Sequence, residues 1–132
     1  MCLYQAHIWA ADFCSDDECE AIFEEHYNDD ETPISRFAHS QNEWFYDHDF
    51  FFVDQLTSGI DDLFVGEVSQ TNRQQIITAW KRQIPQGFNY VIVGNKEDFS
   101  SPKTCQIDNN KLIYLGLFDF FSRQNIEDGY VY

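Results

Sequence analysis

Glu43–Asp54 reads Glu-Trp-Phe-Tyr-Asp-His-Asp-Phe-Phe-Phe-Val-Asp, and seven of its twelve residues are apolar. Six of those seven are Trp, Tyr or Phe, rings that favour extended, half-buried backbone and act as large hydrophobic anchors. Taken as a strand, the segment alternates faces with period two. Trp44, Tyr46, His48, Phe50 and Phe52 then share one face, and Phe45, Asp47, Asp49, Phe51 and Val53 share the other. Two carboxylates thus sit at i and i+2 among core-sized rings, and the rest of the chain reads as elements that pack around them.

Before this segment, Leu3–Trp9 reads as a strand in which His7 lies between apolar residues, the setting of a hydrogen-bonded core or edge histidine. Ser15 with Glu18 forms a capping box, and Asp16, Asp17 and Glu18 place negative charge at the positive end of a helix dipole. Cys19, Ile22, Phe23, His26 and Tyr27 recur at helical spacing as one buried stripe, which turns Glu20, Glu24 and Glu25 outward. Thr32 with Pro33 predicts the start of a second short helix carrying Ile34, Phe37 and Ala38.

After the aromatic segment, Ile60–Val65 reads as a short helical piece capped by Ser58. Thr71 with Gln74 predicts the cap of a helix over Asn72–Gln83 that buries Ile76, Ile77 and Trp80 and shows Arg73 to solvent. Pro85-Gln86-Gly87 stops it. Tyr90–Val93 is a buried strand, Lys96–Lys103 a polar surface loop, and Thr104–Ile107 with Leu112–Phe118 a hairpin around Asp108-Asn109-Asn110-Lys111. Strands neither alternate strictly with helices nor segregate from them. The expectation is one α+β domain over residues 1–132, a mostly antiparallel sheet with helices packed on one side.

The net charge is −15, and it is unevenly placed. Residues 1–70 hold 17 of the 23 acids and one of the eight Lys and Arg, and ten acids fall between Asp12 and Glu31. Such a field repels nucleic acid and anionic membrane and attracts a basic partner. No apolar run is long enough to cross a bilayer, and the first residues lack the basic and apolar regions of a signal peptide. A cytoplasmic protein is expected, with Cys2, Cys14, Cys19 and Cys105 as free thiols, since their spacing matches no zinc site.

Catalytic signatures are missing. There is no G-x-S-x-G elbow, no phosphate-binding glycine loop and no EF-hand pattern in Asn28–Glu31. Asp47-His48-Asp49 is the one titratable cluster, but on a strand His48 faces away from both aspartates, and a metal needs three or four converging ligands. No catalytic residue, metal or cofactor is assigned. A small metal-dependent hydrolase built on Asp47 and Asp49 is the alternative, and an acidic interaction protein for another basic target is a third reading.

His7-Ile8-Trp9, the Glu-rich helix, Ile34-Ser35-Arg36-Phe37, Trp44-Phe45-Tyr46-Asp47-His48-Asp49-Phe50 and Leu115-Gly116-Leu117-Phe118-Asp119 together resemble the immunity protein 22 family of bacterial polymorphic toxin systems. The resemblance covers most of the chain and is strongest over residues 7–54. It implies a non-enzymatic α+β protein that binds and neutralises a cognate toxin domain. Charge adds the character of that toxin: a nuclease must hold phosphates and is commonly basic. The candidate partner-binding residues are Asp16, Asp17, Glu20, Glu24, Glu25, Asp29, Asp30, Glu31, Asp47 and Asp49. Trp44, Phe45 and Tyr46 are candidate anchors or core.

Overall fold

The computed structural model describes residues 3–25, 33–43, 46, 51–56, 59–62 and 68–122. Five strands form an antiparallel sheet: β1 (Leu3–Asp12), β2 (Phe52–Gln55), β3 (Tyr90–Asn95), β4 (Cys105–Ile107) and β5 (Asn110–Ser122). Their order is β2-β3-β1-β5-β4. Among the described residues three helices accompany them: α1 (Asp16–Phe23), α2 (Arg36–Ser40) and α3 (Gln70–Gln83). Single 3-10 turns lie at Ile60–Asp62 and Lys96–Asp98. The class is the α+β expected from the sequence.

β1 is central because it can be buried on both sides. Its even positions Ala6, Ile8 and Ala10 join Val91 and Val93 of β3 in one core, closed by Ile76, Ile77 and Trp80 of α3. Its odd positions Trp9 and Ala11 join Ile92, Leu112 and Ile107 in a second core, closed by Ile22 of α1 and Phe37 and Ala38 of α2. Since successive strand residues point to opposite faces, the helices are divided between the two faces of the sheet. The sequence pattern suggested helices on one side; the near-continuous apolar run Ala6–Ala11 is what requires cover on both.

The aromatic segment folds differently from a long strand. Pairing with β3 begins only at Phe52. Tyr46 is fully buried, its ring centroid 4.2 Å from that of Phe51 and its hydroxyl 3.1 Å from Ser35 Oγ. Tyr46 therefore sides with Phe51 and Val53 in the second core, while Phe52 packs against the first. The period-two assignment that paired Tyr46 with Phe52 fails because the backbone at Tyr46 and Phe51 lies outside the strand. Trp44, Phe45, Asp47, His48, Asp49 and Phe50 lie outside the described residues.

Helix starts also shift. α2 begins at Arg36, one turn beyond Pro33, with Ser35 Oγ accepting from Ala38 N at 3.1 Å; the Tyr46 hydroxyl holds that serine in place. Thr32 lies outside the described residues. α3 is capped by Ser69, whose Oγ accepts from Asn72 N at 3.2 Å, so the helix starts two residues before the predicted boundary. Arg73 is buried, with Nη1 donating to Gln70 Oε1 and Nη2 to the Asp61 carbonyl, which corrects its solvent-facing assignment. The Lys96–Lys103 segment hides one core residue, Phe99, which meets Trp9 edgewise at 5.1 Å.

Asn110 carries the join between hairpin and helix. It is fully buried, its Oδ1 accepts from Cys14 N at 2.7 Å, and its Nδ2 donates to the Ile107 carbonyl and to Glu18 Oε1. β5 runs from Asn110, inside the predicted turn, through Phe118 and its candidate extension Asp119–Phe121 to Ser122, with bulges opposite Tyr4/Gln5 and Ile8/Trp9. Gly116, at φ +141°, sits beside the second bulge in backbone that side chains resist.

Two substitutions test this packing. A Cβ on Gly94 would stand 2.5 Å from the Phe99 ring. Gly94→Ala is expected to cost about 1–3 kcal/mol through overpacking, read as a lowered urea midpoint. Asn110→Ala removes a fully buried side chain that bonds Cys14 N, Glu18 and the Ile107 carbonyl, and is expected to cost about 1–3 kcal/mol in the same assay. Unchanged midpoints would show that neither contact matters.

Candidate partner-binding surface

Burial of one stripe sets which acids of α1 reach solvent. Ile22 is buried and Cys19 and Phe23 are half-buried, with Phe23 against Phe13 and Phe37 at ring distances of 5.8 and 5.2 Å. The opposite arc carries Asp17, Glu20 and Glu24 at i, i+3 and i+7, all exposed. Among the described residues their carboxylates have no hydrogen-bond or ion-pair partner. Three acids open the helix, at the positive end of its dipole, and Ser15 Oγ accepts from Glu18 N at 3.2 Å.

The neighbouring acids are occupied. Tyr90 Oη donates to Asp16 Oδ1, which ties α1 to β3 and pushes the phenol up to about 12. Glu18 turns back to Asn110. The Cys19 thiol is pushed up to about 11, first by burial and then by Asp16 and Glu20, so it stays protonated. Glu25 is half-buried beyond the helix end. Asp29, Asp30, Glu31, Asp47 and Asp49 lie outside the described residues.

Acids elsewhere are mostly engaged. Asp61 holds Lys81 Nζ at 2.7 Å, and Asp108 holds Arg36 Nη2 at 2.7 Å. Glu43 Oε2 accepts from both N and Oγ of Ser100, at 3.0 and 3.1 Å. Cys14, Cys19 and Cys105 are free thiols. Among the described residues no three His, Cys, Asp or Glu side chains are placed to share a metal ion, and no helix is long and apolar enough to cross a membrane. Asp17, Glu20 and Glu24 thus form an open arc on one face of α1, a helix braced from behind by Tyr90 and Asn110, while Asp12, Asp54 and Glu97 are exposed elsewhere.

The sequence model of the immunity protein 22 family matches residues 6–120 of the 132. The chain belongs to the immunity protein 22 family. No curated protein and no solved structure matches it.

Within this family member, sequence reading separated the outward acids of α1 from its buried stripe. It missed the groove between α2 and β4, because residues from 33 to 108 meet there only after the sheet forms. It also missed the partners of His7. His7 is buried on β1, with Nδ1 2.8 Å from Tyr114 Oη and Nε2 3.3 Å from the Lys96 carbonyl. A carbonyl only accepts, so Nε2 carries the proton and Nδ1 accepts from the tyrosine.

Burial is the main cause holding His7 below its ordinary value of 6.5, against the carbonyls of Lys96 and Phe99, which favour the charged ring. The unfolded chain therefore binds this proton first as pH falls. Stability from the neutral ring is complete above pH 6.5 and declines as pH drops from there to the lowered folded value. Urea midpoints at pH 7.5 and 5.5 are expected to differ more for the wild type than for His7→Gln. Equal differences would remove His7 as a source of the pH dependence.

Proposed function

We propose that the chain is an immunity protein that binds and neutralises a cognate bacterial toxin domain through its acidic surface. The observation that carries the reading is the family match over residues 6–120. The immunity family suggests a role without turnover, acting by occlusion of the toxin in the cytoplasm of the producing cell. The domain proposed for this comprises residues 1–132.

The toxin in this proposal is basic, as a nuclease is. A net charge of −15 steers such a partner and raises its association rate at low salt. The exposed arc Asp17, Glu20 and Glu24 supports the assignment, since carboxylates without internal partners remain open to an incoming cation. The proposed contact set adds Asp16, Glu25, Asp29, Asp30, Glu31, Asp47 and Asp49. Nucleic acid and anionic membrane are excluded as partners on the same electrostatic ground.

Co-expression with the toxin domain encoded immediately upstream tests the function. Growth is expected to return when this chain is present, and death regardless of it would sink the immunity reading. The acidic face has its own test. Asp17→Asn/Glu20→Gln/Glu24→Gln is expected to slow association with the purified toxin domain about tenfold at low salt. The difference should close at high salt, as screening removes it. A variant that associates at the wild-type rate at every ionic strength would place the contact elsewhere.

A further inference from the structure

The second face of the sheet carries a surface of the opposite sign. A groove of about 760 Å³ opens between α2 and β4. Cys105 and Ile107 lie on its β4 side, and Arg36, His39, Lys103 and Asp108 bring its charged and titratable groups. Its geometry is fixed from below. Gln41, fully buried after α2, has Oε1 accepting from Lys103 N at 2.6 Å and Nε2 donating to Cys105 Sγ at 3.5 Å. The walls of the groove are therefore pinned to each other by a buried side chain.

The polar groups of the groove are incompletely used. Arg36 gives Nη2 to Asp108, and the rest of its guanidinium fork faces a half-exposed site, with side-chain exposure of 48%. Among the described residues, the Lys103 ammonium and the His39 ring have no hydrogen-bond partner. One acid thus stands against a guanidinium, an ammonium and an imidazole, in a protein whose net charge is −15. That inversion of sign is local, and it restricts what can enter.

Resting on the immunity reading above, we infer that this groove receives a single Asp or Glu side chain that projects from the otherwise basic surface of the toxin. A polyanion is repelled by the field of the whole molecule, whereas a basic surface is drawn to it. A lone carboxylate on such a surface is carried in by its neighbours and meets Arg36 and Lys103 at the end of the approach. Charge-assisted bonds to guanidinium and ammonium are the strong ones, and Arg can hold a carboxylate at two points. An acidic arc and a basic groove together fix one docking orientation and reject partners that carry only positive charge.

The test turns on sign. Lys103→Glu and Arg82→Glu alter net charge equally, but Arg82 lies exposed on α3, on the opposite face of the sheet. Pure long-range steering predicts that both variants bind the upstream-encoded toxin domain as tightly as wild type or tighter. A seated carboxylate predicts at least tenfold weaker binding for Lys103→Glu, chiefly through faster dissociation, with Arg82→Glu within twofold of wild type or tighter. Equal behaviour of the two variants overturns the inference.

A second arm needs no toxin. N-acetyl-glutamate amide, whose one charge is the side-chain carboxylate, is titrated into the free protein and followed by amide shifts. Saturable shifts at Arg36, His39 and Lys103 that vanish in Lys103→Glu support the groove, and no shifts, or shifts retained in that variant, overturn it. Inorganic phosphate that saturates the same amides at lower concentration would make this a phosphate site and also overturn it. If the wild-type chain fails to hold the toxin at all, the immunity reading falls, and the titration alone decides the groove.

Discussion

Ala6–Ala11 of β1 is buried at every position, so this strand must be covered on both faces as well as paired along both edges. β3 meets the same demand over residues 90–94, paired with β1 on one edge and β2 on the other. β3 and β5 supply the edges, α3 covers the even residues, and α1 and α2 cover the odd ones. The two layers differ in chemistry. The α3 side is aliphatic around Ile8, Val91 and Val93, whereas the other side is built from rings: Trp9 meets Phe37 at 5.0 Å and Phe99 at 5.1 Å, both edgewise. Edge-to-face pairs of this kind contribute about 0.5–1.5 kcal/mol each beyond their burial, and they fix orientation as simple apolar contact does not.

That ring layer positions everything polar on its side of the molecule. α1 is short, and a helix of that length is not stable alone. It is held by Ile22 and Phe23 within the rings, by Tyr90 at Asp16, and by Asn110 at Glu18. Its remaining acids are outward because its apolar stripe has only one place to go. α2 is held the same way by Phe37 and by the Ser35–Tyr46 contact, and its outer residues then form one wall of the basic groove. Two surfaces of opposite sign are thereby fixed relative to each other by buried rings.

Much of this was legible in the sequence because it is local. The Ser15 cap, the stripe of α1, a hairpin turn placed over Asp108–Lys111 and closed by the structure at 108–109, and a hydrogen-bonded His7 all follow from residues a few positions apart. The faces of the aromatic segment were not legible, since the partner that holds Tyr46 is Ser35, on an element that sequence pattern placed one turn too early. Arg73 and Phe99 look like surface residues until the Asp61 carbonyl and the space left by Gly94 come together around them. The groove depends on Gln41 reaching Lys103 and Cys105 across the sheet edge, a contact that no spacing announces.

The proposed assignment of α3 to support and of the ring layer to partner binding is tested most directly by hydrogen exchange on the protein with and without a toxin domain encoded immediately upstream. Amides of residues 16–25, 36–42 and 103–108 should exchange more slowly in the complex, while those of α3 keep their free-state rates. Slowed exchange confined to α3, with α1, α2 and β4 unchanged, would contradict it.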